Sequence, residues 1–125
     1  MPVKFKRFEE MPVWIDSRKL TVLIYQLTSG KQFQKDFGLR DQIQRSAVSV
    51  MSNISEGYER GNNKEFIHFL LYSKGSVGEV RSQLYVALDI CYITQEEFKA
   101  ATDLASSISS QLSSFVKFLR SKELQ

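Results

Sequence analysis

The stretch that decides the fold is Asn62-Asn63-Lys64-Glu65-Phe66-Ile67-His68-Phe69-Leu70-Leu71-Tyr72-Ser73-Lys74-Gly75-Ser76-Val77-Gly78-Glu79-Val80-Arg81-Ser82-Gln83-Leu84-Tyr85-Val86-Ala87-Leu88-Asp89-Ile90-Cys91. Phe66, Phe69, Leu70, Ser73, Val77, Val80, Leu84, Ala87 and Cys91 step by threes and fours, which is one stripe of a helix. At 1.5 Å per residue that helix is about 40 Å long. Asn62, three residues before Glu65, supplies a capping box. The stretch is also apolar off its stripe, at Ile67, Leu71, Tyr85 and Val86. Gly75, Gly78 and Ser82 share the side of Leu71. A glycine inside a helix costs about 1 kcal/mol relative to alanine, so two within one turn need a compensating cause. A bend is one, and close approach of another helix is the other. A helix apolar nearly all round is usually buried all round. Ile67, Leu71, Gly75, Gly78 and Ser82 are therefore expected at an interface between copies of the chain.

Further helices flank this one. Downstream, Thr94-Gln95-Glu96-Glu97 is a second capping box. Phe98, Ala101, Leu104, Ile108, Leu112, Phe115 and Leu119 then form a core face, with serines mainly opposite. Upstream, Ile43, Ala47, Val50 and Ile54 line a face that stops at Gly57, before a polar turn at Glu59-Arg60-Gly61-Asn62-Asn63. Farther upstream Leu20, Leu23, Ile24 and Leu27 make another stripe, ending near Gly30. Both prolines, Pro2 and Pro12, precede all of this. The pattern predicts an all-α, up-down-up-down four-helix bundle over 13–122, behind an N-terminal arm at 1–12. Its helices fall at about 13–29, 39–56, 63–92 and 95–121.

Composition removes several alternatives. The chain has 125 residues, 42% hydrophobic and 25% charged, which is ordinary for one globular domain. One cysteine, Cys91, excludes an internal disulfide and suggests a reducing compartment. No apolar run is long enough for a membrane span. The Met1–Arg7 segment lacks the apolar core of a secretory signal, so a cytoplasmic location is expected. Catalysis has little to work with. His68 is the single histidine, Cys91 is six turns away from it, and Glu65-x-x-His68 is only one of the two motifs a bundle di-iron site needs. No enzyme activity, metal or cofactor is expected.

A polar stripe runs along the second helix at Arg45, Ser49, Ser52 and Glu56, with Asn53 beside it and Arg60 beyond its end. It is either a solvated face or a hydrogen-bonding surface in which Arg45 takes phosphate or carboxylate. Trp14, Arg18, Val22 and Tyr25 form a second stripe on the first helix. It is either an interface or a surface lying under the arm.

The residues Asp41-Gln42-Ile43-Gln44-Arg45-Ser46-Ala47-Val48-Ser49-Val50-Met51-Ser52-Asn53-Ile54-Ser55-Glu56-Gly57 resemble the second-helix signature of proteins encoded by intervening sequences in bacterial 23S ribosomal RNA genes. Lys64-Glu65-Phe66 and Gly75-Ser76-Val77-Gly78-Glu79 match that family's third helix. Trp14, Leu20 and Tyr25 match its first. The likeness covers roughly 8–118. It departs at Phe33-Gln34, where Phe-Pro is common, at Ser46 and Ser55, where alanine is usual, and at Met51, where proline is common. The resemblance implies a homopentameric four-helix bundle without enzymatic activity. A related accessory protein of diversity-generating retroelements shares the bundle and partners reverse transcriptase and nucleic acid.

Two functional expectations follow. With net charge +3 and a pI near 9.0, a ring of copies would repeat a modest basic patch for RNA or DNA. Its candidates are Lys4, Lys6, Arg7, Arg18, Lys19, Arg40, Arg45 and Arg60. The alternative is a protein–protein adaptor, in which the cluster Arg45, Ser49, Asn53, Glu56, Arg60 and Glu79 faces a protein partner.

Overall fold

Each α-helix starts where a proline removes, or a side chain binds, an amide left unpaired in its first turn. The computed structural model describes residues 5–123. Their four helices are α1 (Pro12–Thr28), α2 (Phe37–Glu59), α3 (Asn63–Asp89) and α4 (Gln95–Glu123), with no strand among the described residues. Short 3-10 turns stand at Phe8–Glu10 and Phe33–Lys35. Pro12 opens α1, where a missing N–H costs nothing. Asp36 caps α2, its Oδ1 accepting from Leu39 N at 3.1 Å. Asn62 caps α3, accepting from Glu65 N at 2.9 Å. Thr94 and Glu97 cap α4 reciprocally: Thr94 Oγ1 accepts from Glu97 N at 3.1 Å, and Glu97 Oε1 accepts from Thr94 N at 2.9 Å.

Four apolar stripes meet in one core. α2 packs on α1 and, most extensively, on α3; α3 packs on α4, and α4 closes on α1. Leu20, Ile24, Ile43, Ile54, Phe66, Leu70, Leu84, Ile108, Leu112 and Leu119 are fully buried. Each such side chain contributes about 1.5–3 kcal/mol by leaving water. The α2–α3 seam is closely packed. Gly57 is buried there, and a Cβ on it would stand 2.6 Å from Phe69 Cβ and 2.9 Å from Phe66 Cδ1. Ser73 Oγ donates to Val50 O across the same seam at 2.7 Å. Thr21 Oγ1 lies 3.2 Å from Ala47 O, between α1 and α2.

Several expectations are corrected. Gly57 does not end α2; the chain passes it by two residues and turns at Gly61, whose φ is +82°. The glycine is needed for helix approach instead. α2 also starts two residues before the expected 39, because Asp36 caps it. Cys91 is not in the core: it is exposed, with φ +64°. α3 ends at Asp89, and Cys91 N donates to Leu88 O at 3.0 Å while Tyr92 N donates to Ala87 O at 2.8 Å. That is a Schellman turn with cysteine in the position glycine favours. Cys91→Gly is expected to stabilise the fold by about 1 kcal/mol, since the left-handed strain disappears and no packing is lost. A urea midpoint unchanged or lowered by the substitution would contradict this.

On α4, Ala105 and Val116 are buried while Leu104 and Phe115 are only partly so. The segment before α1 is no loose arm from Phe5 onward. Met11 is fully buried. Tyr58 Oη donates to Phe5 O at 2.7 Å, and the Phe8 ring stands edge-on to Trp14 at 5.2 Å. The Trp14 end of the α1 stripe thus lies under this segment, while Val22 and Tyr25 stay exposed.

One end of the bundle is tied across two loops. Tyr92 Oη donates to Asp36 Oδ2 at 3.0 Å, and its ring lies 5.1 Å from that of Phe33. The hydrogen bond to Asp36, then desolvation and the carboxylate charge, raise the Tyr92 pKa above its ordinary 10.0. A folded value above the unfolded one means stability present below about pH 10 and lost as pH rises through the folded value. The stability advantage of the native chain over Tyr92→Phe is therefore expected to shrink in alkaline urea titrations. An advantage constant to high pH would refute the role of this bond.

Candidate nucleic-acid interface

The expected basic residues are dispersed, and four of the eight hold a carboxylate. Arg45 on α2 and Arg60 just past its end are fifteen residues apart, about 22 Å along the helix axis. Arg60 pairs with Glu56 at 2.9 Å and its guanidinium lies 5.0 Å from the centre of the Phe69 ring. Arg7 pairs with Glu9 at 3.4 Å, Lys19 with Asp16 at 3.9 Å and Arg40 with Asp41 at 2.9 Å. Arg18 lies 5.9 Å from the Trp14 ring centre. Lys6, Arg18 and Arg45 have no ion pair among the described residues. Lys4 lies outside the described residues. Exposed pairs of this kind are worth well under about 1 kcal/mol, so a polyanion can displace them, at the cost of competing with the carboxylates.

The expected polar cluster divides in two. At the C-terminal end of α2 stand Glu56 and Arg60. Nearer the N-terminal end, Arg45 and Ser49 line an open groove of about 810 Å³ with Glu79 of α3. Phe37, Gly38, Asp41, Gln42 and Ser46 complete its lining. Asn53 joins this second half, its Nδ2 donating to Ser49 O at 2.8 Å and to Ser49 Oγ at 3.0 Å. Ser49 Oγ is in turn 2.9 Å from Ser76 Oγ of α3. The stripe thus does not face squarely away from the core; its Ser49 edge forms part of the α2–α3 seam.

Phe37 is the residue that sequence reasoning missed. Assigned to a loop, it is the first residue of α2 and is 64% exposed. The Arg40 guanidinium sits 4.8 Å from its ring centre, and is itself fixed by Asp41 and by Gln34 O at 3.0 Å. The available signal was Asp36, a capping residue three before Leu39.

The outer face of α3 holds most of its expected residues. Gly75, Gly78 and Ser82 are exposed, and nothing lies within 4 Å of a Cβ placed on either glycine. Leu71, Tyr72, Tyr85 and Val86 are exposed around them. Ile67 is the exception, being 93% buried within the chain. Its angle off the stripe points to a flank of α3 that the bundle itself covers.

A sequence profile described as "23S rRNA-intervening sequence protein" matches residues 9–114. The chain belongs to this family. Its fold is similar to a crystal structure of a protein with unknown function from the S23 ribosomal protein family of Bacteroides thetaiotaomicron VPI-5482. The TM-score is 0.77 at 27% identity, over 84% of this chain and 98% of that one. No curated protein matches. The family match spans all of α2 and α3, all of α1 and most of α4. No helix among the described residues is long and apolar enough to cross a membrane, and they contain no group of three or more potential metal ligands.

Proposed function

We propose that this 23S rRNA-intervening sequence protein is a non-catalytic cytoplasmic scaffold, a homo-oligomer that engages RNA. Its helices run up-down-up-down, and copies join through the outer face of α3. The observation that carries this reading is the open strip of Gly75, Gly78 and Ser82 bordered by Leu71, Tyr85 and Val86. Glycines costly to a solvated helix are explained when a second helix lies against them. The family resemblance favours five copies. A ring of five would repeat Arg45, Arg18 and Lys6 and convert a weak basic surface into a multivalent one. The family's description, which ties it to sequences within 23S rRNA, favours RNA over DNA.

A protein–protein adaptor is the second reading. It is favoured by the carboxylates already held by Arg7, Lys19, Arg40 and Arg60, and by Glu79 in the groove.

Light-scattering mass, with and without structured RNA over a salt series, tests both. The expected result is five times the 14.4 kDa chain, with an RNA-dependent shift at low salt that fades as salt rises. A pentamer indifferent to RNA at every salt concentration would leave the adaptor reading standing. A monomer would overturn the scaffold.

A further inference from the structure

We infer that the α2–α3 groove is a pocket for an unpaired guanine, the base of an RNA strand; this rests on the RNA reading above. The groove, of about 810 Å³, falls in the size range of small-molecule sites. Its wall includes Phe37, 64% exposed, with Arg40 against the ring at 4.8 Å. An exposed aromatic backed by a guanidinium is a stacking platform for a base.

The charges then select which part of a nucleotide enters. Arg40 and Asp41 satisfy each other at 2.9 Å. Arg45 and Glu79 line the same groove, and neither has an ion pair among the described residues. A carboxylate in the groove repels a phosphate backbone, so the backbone stays outside and a base edge enters. An ionised carboxylate only accepts hydrogen bonds, and a guanidinium only donates. The matching edge therefore has adjacent donors on one side and acceptors on the other. Guanine has both: N1–H and the N2 amino group for Glu79, and O6 and N7 for Arg45. Adenine and cytosine each offer one amino group beside an acceptor, and uracil offers one N–H between two acceptors. Gln42, also in the lining, can serve the remaining ring and ribose atoms.

The test is a titration of the full chain with GMP, AMP, CMP and UMP, and with single-stranded RNA oligomers carrying one guanine, adenine or inosine in a uridine background. Binding is read by fluorescence anisotropy and by NMR shifts of groove residues. The expected result is a preference of about tenfold for guanine over adenine, on the scale of one well-made base contact. Inosine, which lacks the N2 amino group, and Glu79→Gln should each remove most of it. Phe37→Ala should weaken binding of the guanine oligomer about tenfold through lost stacking. Phe37 is exposed, so the variant should keep the native circular dichroism melt. Oligomers that bind equally, or as well to Phe37→Ala, would overturn the guanine pocket while leaving RNA binding intact. Neither GMP nor any oligomer binding would overturn both. GMP binding without oligomer binding would support the pocket and assign it to a free nucleotide, overturning RNA as the source.

Discussion

Gly57→Ala is expected to destabilise the bundle by about 2 kcal/mol or more, even though alanine is the better helix former. Helix propensity alone predicts a gain of about 1 kcal/mol. Packing outweighs it. The added Cβ would meet Phe69 Cβ at 2.6 Å, Phe66 Cδ1 at 2.9 Å and the Phe66 carbonyl oxygen at 3.4 Å. A Cβ has no rotamer by which to escape, so α2 and α3 must separate. Separation loosens Phe66, which is 1% exposed, and lengthens the Ser73–Val50 hydrogen bond of 2.7 Å. Overpacking of this kind typically costs about 1–3 kcal/mol, occasionally more. A clash between two Cβ atoms held by packed backbones takes the upper end, which leaves about 2 kcal/mol after the propensity gain of about 1 kcal/mol. For a chain of this length the melting temperature should fall by roughly 6–12 °C. A thermal melt at or above the native value would mean that the helices do not approach each other this closely.

The same chemical change one helix away should act with the opposite sign on the single chain. A Cβ at Gly75 or Gly78 would have nothing within 4 Å, so alanine at either should stabilise the isolated bundle by about 1 kcal/mol. A larger pair of side chains tests the proposed assembly. Gly75→Leu with Gly78→Leu should reduce the mass in solution to the 14.4 kDa of one chain, while circular dichroism retains the native helix content. The two leucines have room within the chain, but they would hold a neighbouring helix away from the strip. An unchanged oligomeric mass would remove this face from the interface. Gly57, Gly75 and Gly78 thus distinguish folding from assembly by one residue type.

Much of the fold was legible because the chain obeys one period. With no proline after Pro12, the stripes at Ile43-Ala47-Val50-Ile54 and Phe66-Leu70-Val77-Val80-Leu84 could only be helical, and these residues are buried. Thr94 and Glu97 form the reciprocal cap that their spacing requires. What stayed hidden depends on neighbours in space. Ile67 and Ser76 lie on opposite flanks of the α3 stripe, and both are buried. The α3 sequence alone does not say how far its neighbours reach around it. Gly57 has the same sequence signature as a helix stop, and only Phe66 and Phe69 identify it as a contact. In the candidate site, the pairs Asp16–Lys19, Arg40–Asp41 and Glu56–Arg60 were within reach of sequence reasoning, being one, three or four residues apart. That Arg45 and Glu79 line one groove was not, since α2 and α3 must first fold together.

The Gly57 contact also bears on the order of events in folding. It joins residues nine and twelve apart in the chain, Phe66 and Phe69, across a turn of a few residues. Closing so short a loop is entropically cheap. By contrast, the hydrogen bond of 2.8 Å from Gln111 Nε2 to Asp16 Oδ2 on the α1–α4 seam spans 95 residues. The α2–α3 hairpin can therefore dock first as a nucleus, and the seam between the terminal helices closes last. The expected signature is a gradient of native-state amide exchange, slowest around Val50 and Val77 and fastest along α1. Uniform protection across the helices would mean that the bundle opens only as a whole.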